Sequence, residues 1–491
     1  MNWILPVINW KGLAPEIIIV GVGLLVMLVD PFLKDDRKKI LSHLSWLGVL
    51  AAMLACFCLW GSNINNWNGM ALSDNLSLVL KLIFLTGTLL TIFISTLKAQ
   101  AEIHGEYYAL LLFATFGMML MGSSTDLLVI FLGIEVMSVS LYILAGFDRH
   151  DPKSGEASMK YFLMGAFSTG FLLYGIALIY GATGQTNLTN LFTYFYTAQH
   201  DLLFLAGLGL LLVGLGFKVA SVPFHMWVPD VYEGAPTPIT AFMAAGPKAA
   251  AFAALLRVFV ITFQPLTNLW VIVLWIMAVL TMTVGNLLAI SQMNIKRMLA
   301  YSSIAHAGYV LVAIVAGGEM GLKSAVFYLL AYSLMNMGAF AVIIALSERG
   351  EKHLDLPDYR GLGLKYPLLG VLMTIFMVSL SGIPPTAGFV GKFYIFSAAV
   401  KNGFIGLAVI GVLNSLISVY FYLRVVVFMF MQESESDIAG VTLGWQVVAA
   451  LLITALGTLW LGLFPDWFLN LAQTTFLAVK CLAFASNWLY N

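Results

Sequence analysis

One carboxylate, Glu135, stands in the run FLGIEVMSV (131–139), where no neighbouring residue looks able to solvate it. Three lysines are placed as awkwardly. Lys218 lies in LGFKVASVPFHMWVPDVYEGAPTP, Lys248 in AAGPKAAAFAALLR and Lys392 in SGIPPTAGFVGKFYIF. Each sits beside a helix disruption: Pro223 follows Lys218 by five residues, Gly246 and Pro247 directly precede Lys248, and Pro384–Pro385 precede Lys392. A broken helix frees backbone carbonyls and amides, which an apolar medium tolerates only inside protein or along a wet cavity. Those groups can hold water and stabilise a charge. Burial disfavours an ammonium and a carboxylate drawn close favours it, so a lysine in such a place can gain and lose a proton. The expectation is a polar path in which Glu135 tunes Lys218. The alternative is three satisfied structural lysines and an acid bonded to a nearby serine or amide.

Two histidines extend the set. His225, in VPFHMWVPD, suits a proton-passing role and an interfacial hairpin equally. His306, in YSSIAHAGY, lies among hydroxyls and small residues as a relay or as a packed, bonded ring. Lys81, Lys160, Arg257 and Arg424 stand a turn or two from predicted helix ends, so their stems are expected to carry the charge to an interface. Lys160 is also a possible relay residue. Asp126 is expected to cap the helix it opens. No phosphate-cradling GxxxxGK[ST] run, no strand-borne GxGxxG and no histidine pair at i, i+4 is present. Three cysteines (Cys56, Cys58, Cys481) are too few for a disulfide framework or an iron–sulfur cluster. The chain reads as a conduit without redox equipment.

The elements that must position these groups follow from composition. Of 491 residues, 61% are hydrophobic and 10% charged, and mean hydropathy is +0.94. A soluble domain carries about 25% charged residues, so the solvent here is largely lipid. Zero net charge argues against a nucleic-acid partner. The N-terminus lacks the positive region of a cleaved signal peptide. A span needs about 20 apolar residues, and fourteen candidates lie near 13–33, 40–60, 74–97, 106–122, 125–146, 155–181, 201–222, 238–263, 267–290, 299–317, 322–347, 366–402, 404–431 and 443–464. The twelfth is too long for one straight helix, and its double proline breaks it. The tail after Pro465 reads as an interfacial helix or a further span. With the N-terminus outside, the inner loops hold Lys34, Arg37, Lys38, Lys39, Lys98, Arg149, Lys153, Lys296, Arg297, Arg349, Lys352, Arg360 and Lys365. The outer segments hold Lys11, Lys323, Lys401 and Lys480, so the bias is 13 against 4. That is the positive-inside asymmetry, and it places both termini on the non-cytoplasmic side.

The runs LGIEVMSVSLYILAGFDRHDPKSGEASMKYFLMGAFSTG, PFHMWVPDVYEGAPTPITAFMAAGPKAAAFAALLR, NIKRMLAYSSIAHAGY and SGIPPTAGFVGKFYIF resemble the antiporter-like membrane subunits of respiratory complex I, most closely the N type. The resemblance covers essentially the whole chain. It implies an all-α polytopic membrane protein of about fourteen transmembrane helices with two inverted five-helix repeats, helices 4–8 and 9–13, of which helices 7 and 12 are broken. It divides the chain into an N-terminal three-helix segment (1–100), a first repeat (101–264), a second repeat (265–431) and a C-terminal helix with tail (432–491). Glu135, Lys218, Lys248 and Lys392 fall on the family's proton-translocating positions, with His306 a possible intermediate station. Lys218 would take a proton from the cytoplasmic side, Lys248 pass it inward and Lys392 hand it outward. Lysine rather than glutamate at 392 favours the N type over the M type. The implied activity is proton translocation within an NADH:quinone oxidoreductase. The implied partners are lipids and other membrane-arm subunits, including further antiporter-like ones. Flavin, iron–sulfur clusters and quinone belong to partner chains, with no cofactor in this one. A multi-subunit cation/proton antiporter is the competing reading, and a charge-stabilised scaffold the third. A bacterial inner membrane is the expected location, with a chloroplast relative possible.

Overall fold

The computed structural model describes residues 8–34, 37–96, 104–197, 201–347, 353–433 and 443–471. The described chain is helical throughout except for one small hairpin, β1 (Ile64–Asn66) against β2 (Ala71–Ser73). The first six helices are α1 (Ala14–Val29), α2 (Lys39–Cys58), α3 (Asn75–Ser95), α4 (Gly105–Ser123), α5 (Leu127–Ala145) and α6 (Pro152–Thr183). After a surface helix, α7 (Leu188–Thr197), come α8 (Leu202–Lys218), α9 (Trp227–Gly234) and α10 (Thr237–Leu255), which continues as a π-helix over Leu256–Thr262. The second half runs α11 (Thr267–Ile290), α12 (Ile295–Ala316), α13 (Gly318–Leu346), a single turn α14 (Leu362–Lys365), α15 (Pro367–Ser381), α16 (Ala387–Lys401), α17 (Ile405–Met431) and α18 (Trp445–Leu463).

Twelve helices among the described residues are long and apolar enough to cross a membrane. That is two fewer full-length spans than the fourteen expected, and the reason is local. At the seventh and twelfth positions stand shorter helices, Leu202–Lys218 and Pro367–Ser381, each ended by a break. The tail from 472 onward, with Cys481, Lys98, Arg349, Lys352 and Lys480, lies outside the described residues.

Helix starts follow the sequence. Asp74, Asp126, Asp151, Asp201 and Asn294 each accept a backbone N–H of the turn they open, and Asp74 forms a capping box with Ser77. Each such cap is worth about 1 kcal/mol. The expected cap at Asp126 is therefore present. Helices α3, α10, α12 and α13 are almost wholly buried, whereas α1, α6, α11, α17 and α18 turn most of their surface outward. Phe167, Leu416 and Leu456 are among the large apolar side chains left exposed there, as lipid-facing surfaces require.

Three expectations need correction. Lys81 and Arg257 do not reach an interface. Lys81 pairs with Glu16 at 2.6 Å, and Arg257 pairs with Asp74 at 2.8 Å while donating to the Gly122 carbonyl, with all four charged side chains buried. A partner on another helix removes the need to snorkel. No break accompanies Lys248, because α10 runs through Pro247 without interruption. Proline lacks only its own N–H, so one carbonyl a turn earlier is freed while the helix is held by its packed neighbours. Lys296, expected in a loop, is fully buried in the first turn of α12 and donates to the Ala235 carbonyl.

Candidate functional site

The two breaks are built alike. Helix α8 ends at Lys218; Ala220 then takes φ +61°, and Ser221 N–H returns to the Gly216 carbonyl. Helix α15 ends at Ser381; Gly382 takes φ +85°, and Ile383 N–H returns to the Val378 carbonyl. Both are helix ends closed by a left-handed residue and a bond five residues back, the Schellman arrangement. The lysines sit differently about them. Lys218 is the last residue of its half-helix, whereas Lys392 reaches back over the break from α16.

All three lysines are nearly sealed, at 5%, 4% and 3% exposure for Lys218, Lys248 and Lys392. None forms an ion pair with a carboxylate of the described residues. Lys218 Nζ donates to Ser138 Oγ at 2.7 Å and lies over the rings of Tyr142 and Phe217. Lys248 Nζ donates to Ser303 Oγ at 2.7 Å, above the Tyr232 ring. Lys392 Nζ donates to the Leu380 and Ser381 carbonyls, both at 3.0 Å, and to Ser415 Oγ at 2.9 Å, with the Tyr309 ring 4.8 Å away. Carbonyls freed at the end of α15 thus hold the third ammonium directly. They are the negative end of that half-helix.

Glu135 is one turn before Ser138 on α5, on the helix face whose serine accepts from Lys218. It is near enough to act on Lys218 electrostatically. It makes no ion pair with it, and its buried Oε1 has no protein partner. An unpaired buried acceptor costs about 1–3 kcal/mol. The rings of Tyr142 and Tyr232 stand one beside each of the first two lysines. Trp227 links the two sites, stacking on Phe217 and meeting Tyr232 edge-on.

His306 occupies the middle of the second half. Its Nδ1 meets the Tyr328 hydroxyl at 2.6 Å and its Nε2 the Tyr422 hydroxyl at 2.9 Å, and Tyr422 also bonds Ser302. It lies one turn beyond Ser303 and one before Tyr309, so α12 carries Lys248's acceptor, the imidazole and Lys392's aromatic neighbour in sequence. His225 sits in the first break, buried, with Nδ1 unpartnered and no hydrogen bond to a lysine. Lys160 stands apart from the buried file. It bridges Glu156 and Asp230 in a half-exposed network that Arg297 and Glu233 complete.

Ser138, Ser303, Ser415, Tyr309, Tyr328 and Tyr422 were not singled out in the sequence. The spacing Glu135–Ser138 and Ser303–His306–Tyr309 would have flagged three of them. Nothing in the one-dimensional pattern marks Ser415, Tyr328 or Tyr422, which arrive from other helices.

Residues 124–418 match the family described as NADH:quinone oxidoreductase/Mrp antiporter, transmembrane. The chain is 51% identical to NADH-quinone oxidoreductase subunit N of Trichlorobacter lovleyi, over 95% of this chain and 96% of that one. In a structure of respiratory complex I from Thermus thermophilus with bound aureothin, one chain is 37% identical, with TM-score 0.80 over 94% of this chain and 99% of that one. A chain of the Mrp complex from Dietzia superposes with TM-score 0.84 over 95% of this chain and 97% of that one, at 22% identity, which speaks to the fold alone. The fold is thus common to both assemblies, and sequence identity separates them: this chain belongs to the family of NADH-quinone oxidoreductase N subunits.

Proposed function

We infer that this chain is a proton-translocating membrane-arm subunit of an NADH:quinone oxidoreductase, moving protons while electrons pass to quinone in other subunits. The observation that carries the reading is the set of three sealed lysines, each satisfied by hydroxyls or carbonyls rather than by a carboxylate. A charge at mid-span costs roughly 2.5–3.5 kcal/mol on insertion scales. A lysine held only by neutral groups can afford to lose its proton, where one locked to a carboxylate would keep it.

In this reading Lys218 takes a proton from the inner side, Lys248 receives it, His306 relays it and Lys392 hands it outward. Glu135 sets the charge of Lys218: drawn close it holds the proton, and drawn away it lets the proton go. His225 and Lys160 stand toward the inner end and feed the path. The matched helix ends at Ala220 and Gly382 support two repeats, helices 4–8 and 9–13, preceded by the three-helix segment of 1–100. Both termini face the non-cytoplasmic side of a bacterial inner membrane. Flavin, iron–sulfur clusters and quinone are held by partner subunits, and the neighbours in the membrane include further antiporter-like chains.

The test is mass spectrometry of what co-purifies with the tagged chain in mild detergent. Recovery with flavin- and iron–sulfur-bearing proteins is expected. Recovery with small membrane subunits and no redox protein would move the assignment to a cation/proton antiporter.

A further inference from the structure

In the interval between Lys248 and Lys392 lies a four-residue run of hydrogen bonds, Ser302–Tyr422–His306–Tyr328, that lysine chemistry alone does not explain. Both nitrogens of the buried His306 face tyrosine hydroxyls, Tyr422 on Nε2 and Tyr328 on Nδ1. Tyr422 continues to Ser302, the residue before the Ser303 that accepts from Lys248; the run stops at Ser302 without a bond to that pair. On the other side Tyr328 packs so tightly against Gly391, the residue before Lys392, that a Cβ there would lie 2.5 Å from its ring. The ring of Tyr332, 4.9 Å from the imidazole, and that of Tyr309, 5.6 Å away, hold His306 in place. A packed structural histidine needs one bonded nitrogen to fix its tautomer. Here the two are placed in line between two groups that each donate and accept.

We propose that Ser302, Tyr422, His306 and Tyr328 form a through-ring proton relay, in which a proton arrives at one imidazole nitrogen and a different proton leaves from the other. The proposal rests on the lysine path described above and names the groups that carry protons between its second and third lysines. The step balances. The ring begins with its proton on Nδ1, donated to the Tyr328 oxygen, while Nε2 accepts from Tyr422. Tyr422 gives its hydroxyl proton to Nε2 and is reloaded through Ser302. Nδ1 gives up its proton to Tyr328, which releases its own toward Lys392. One proton is taken and one is released, and no bond other than O–H and N–H changes. The ring is left as the other tautomer, so the hydroxyls must turn back before a second proton can follow in the same direction.

Removal of either hydroxyl cuts the file while keeping the ring that packs. In the whole complex reconstituted in vesicles, Tyr422→Phe and Tyr328→Phe should each lower coupled quinone reduction and proton pumping by about a hundredfold or more, within the range set by positioned proton-transfer groups. The double variant should be no worse than either single one, because both sit in one file. Electron transfer from NADH to an artificial acceptor should stay unchanged, and retention of this chain in the purified complex reports assembly. His306→Gln should match the tyrosine variants, since an amide cannot exchange tautomers. Wild-type pumping in the tyrosine variants, with Lys248→Ala and Lys392→Ala still inactive, would overturn the relay and leave the lysine path standing. Wild-type pumping in all of them would remove both. Should the tyrosine variants fail to assemble, Ser302→Ala decides: a severalfold loss supports the file, and an unchanged rate refutes it.

Discussion

The two broken helices use one device to opposite ends. At the twelfth span the ammonium of Lys392 is held by main-chain carbonyls, Leu380 and Ser381, that cannot move without unwinding α15. At the seventh span Lys218 has one hydroxyl acceptor, Ser138, and a carboxylate close by that it does not bond. Fixed acceptors make a steady seat for a charge, and movable side chains make one that can be changed. In the proposed path this difference makes Lys218 the adjustable step and Lys392 the steady one. The left-handed residue differs as well, glycine at one break and alanine at the other. A Cβ on Gly382 would stand 2.9 Å from Lys392 Cδ and 3.2 Å from its Nζ. Ala220 meets no such lysine, because Lys218 precedes its break; it only bears the roughly 1–2 kcal/mol of a left-handed L-residue.

Exchanging those two residues is the sharpest way to break the comparison. Gly382→Ala should lower coupled turnover about tenfold by displacing an ammonium whose charge-assisted bonds are worth about 1.5–3 kcal/mol each. Ala220→Gly should leave turnover unchanged. Equal effects on turnover of the assembled complex would mean that the two seats do not differ. Next in size is the pair of serines. Ser138→Ala takes the one hydroxyl from Lys218 and should slow turnover severalfold, whereas Ser415→Ala leaves Lys392 two carbonyls and should cost about twofold or less. A larger loss for Ser415 would reverse the assignment of steady and adjustable sites. Smallest is Asp230→Asn. Its bonds to Lys160 and Arg297 are half-exposed, so thermal stability of the complex should change by no more than about 1 kcal/mol. A greater change would mean that the network holds the fold more firmly than a half-exposed cluster of charges does.

Much of this was legible in the chain because a membrane makes charge conspicuous. Glu135, Lys218, Lys248 and Lys392 stand out in apolar runs, and prolines mark the helix breaks beside Lys218 and Lys392, the second of which lends its freed carbonyls to the ammonium. The same rule misled at Lys248, where Pro247 signals a break that the packed helix does not make. It misled also at Lys81 and Arg257, whose partners Glu16 and Asp74 lie on other helices, 65 and 183 positions away. Tyr328 and Tyr422 were invisible for a related reason. A tyrosine in an apolar helix is ordinary, and only the folded chain turns two of them onto one imidazole.

The measurement that tests the central claim most directly is proton pumping alongside quinone reduction in the assembled complex carrying Lys218→Ala, Glu135→Ala or Glu135→Asp. If the adjustable step is at Lys218, the two alanine variants depress both rates, and Glu135→Asp, which keeps the charge, is hurt less. Wild-type rates in both alanine variants would contradict the account, and these charges would then serve only to hold the membrane arm together.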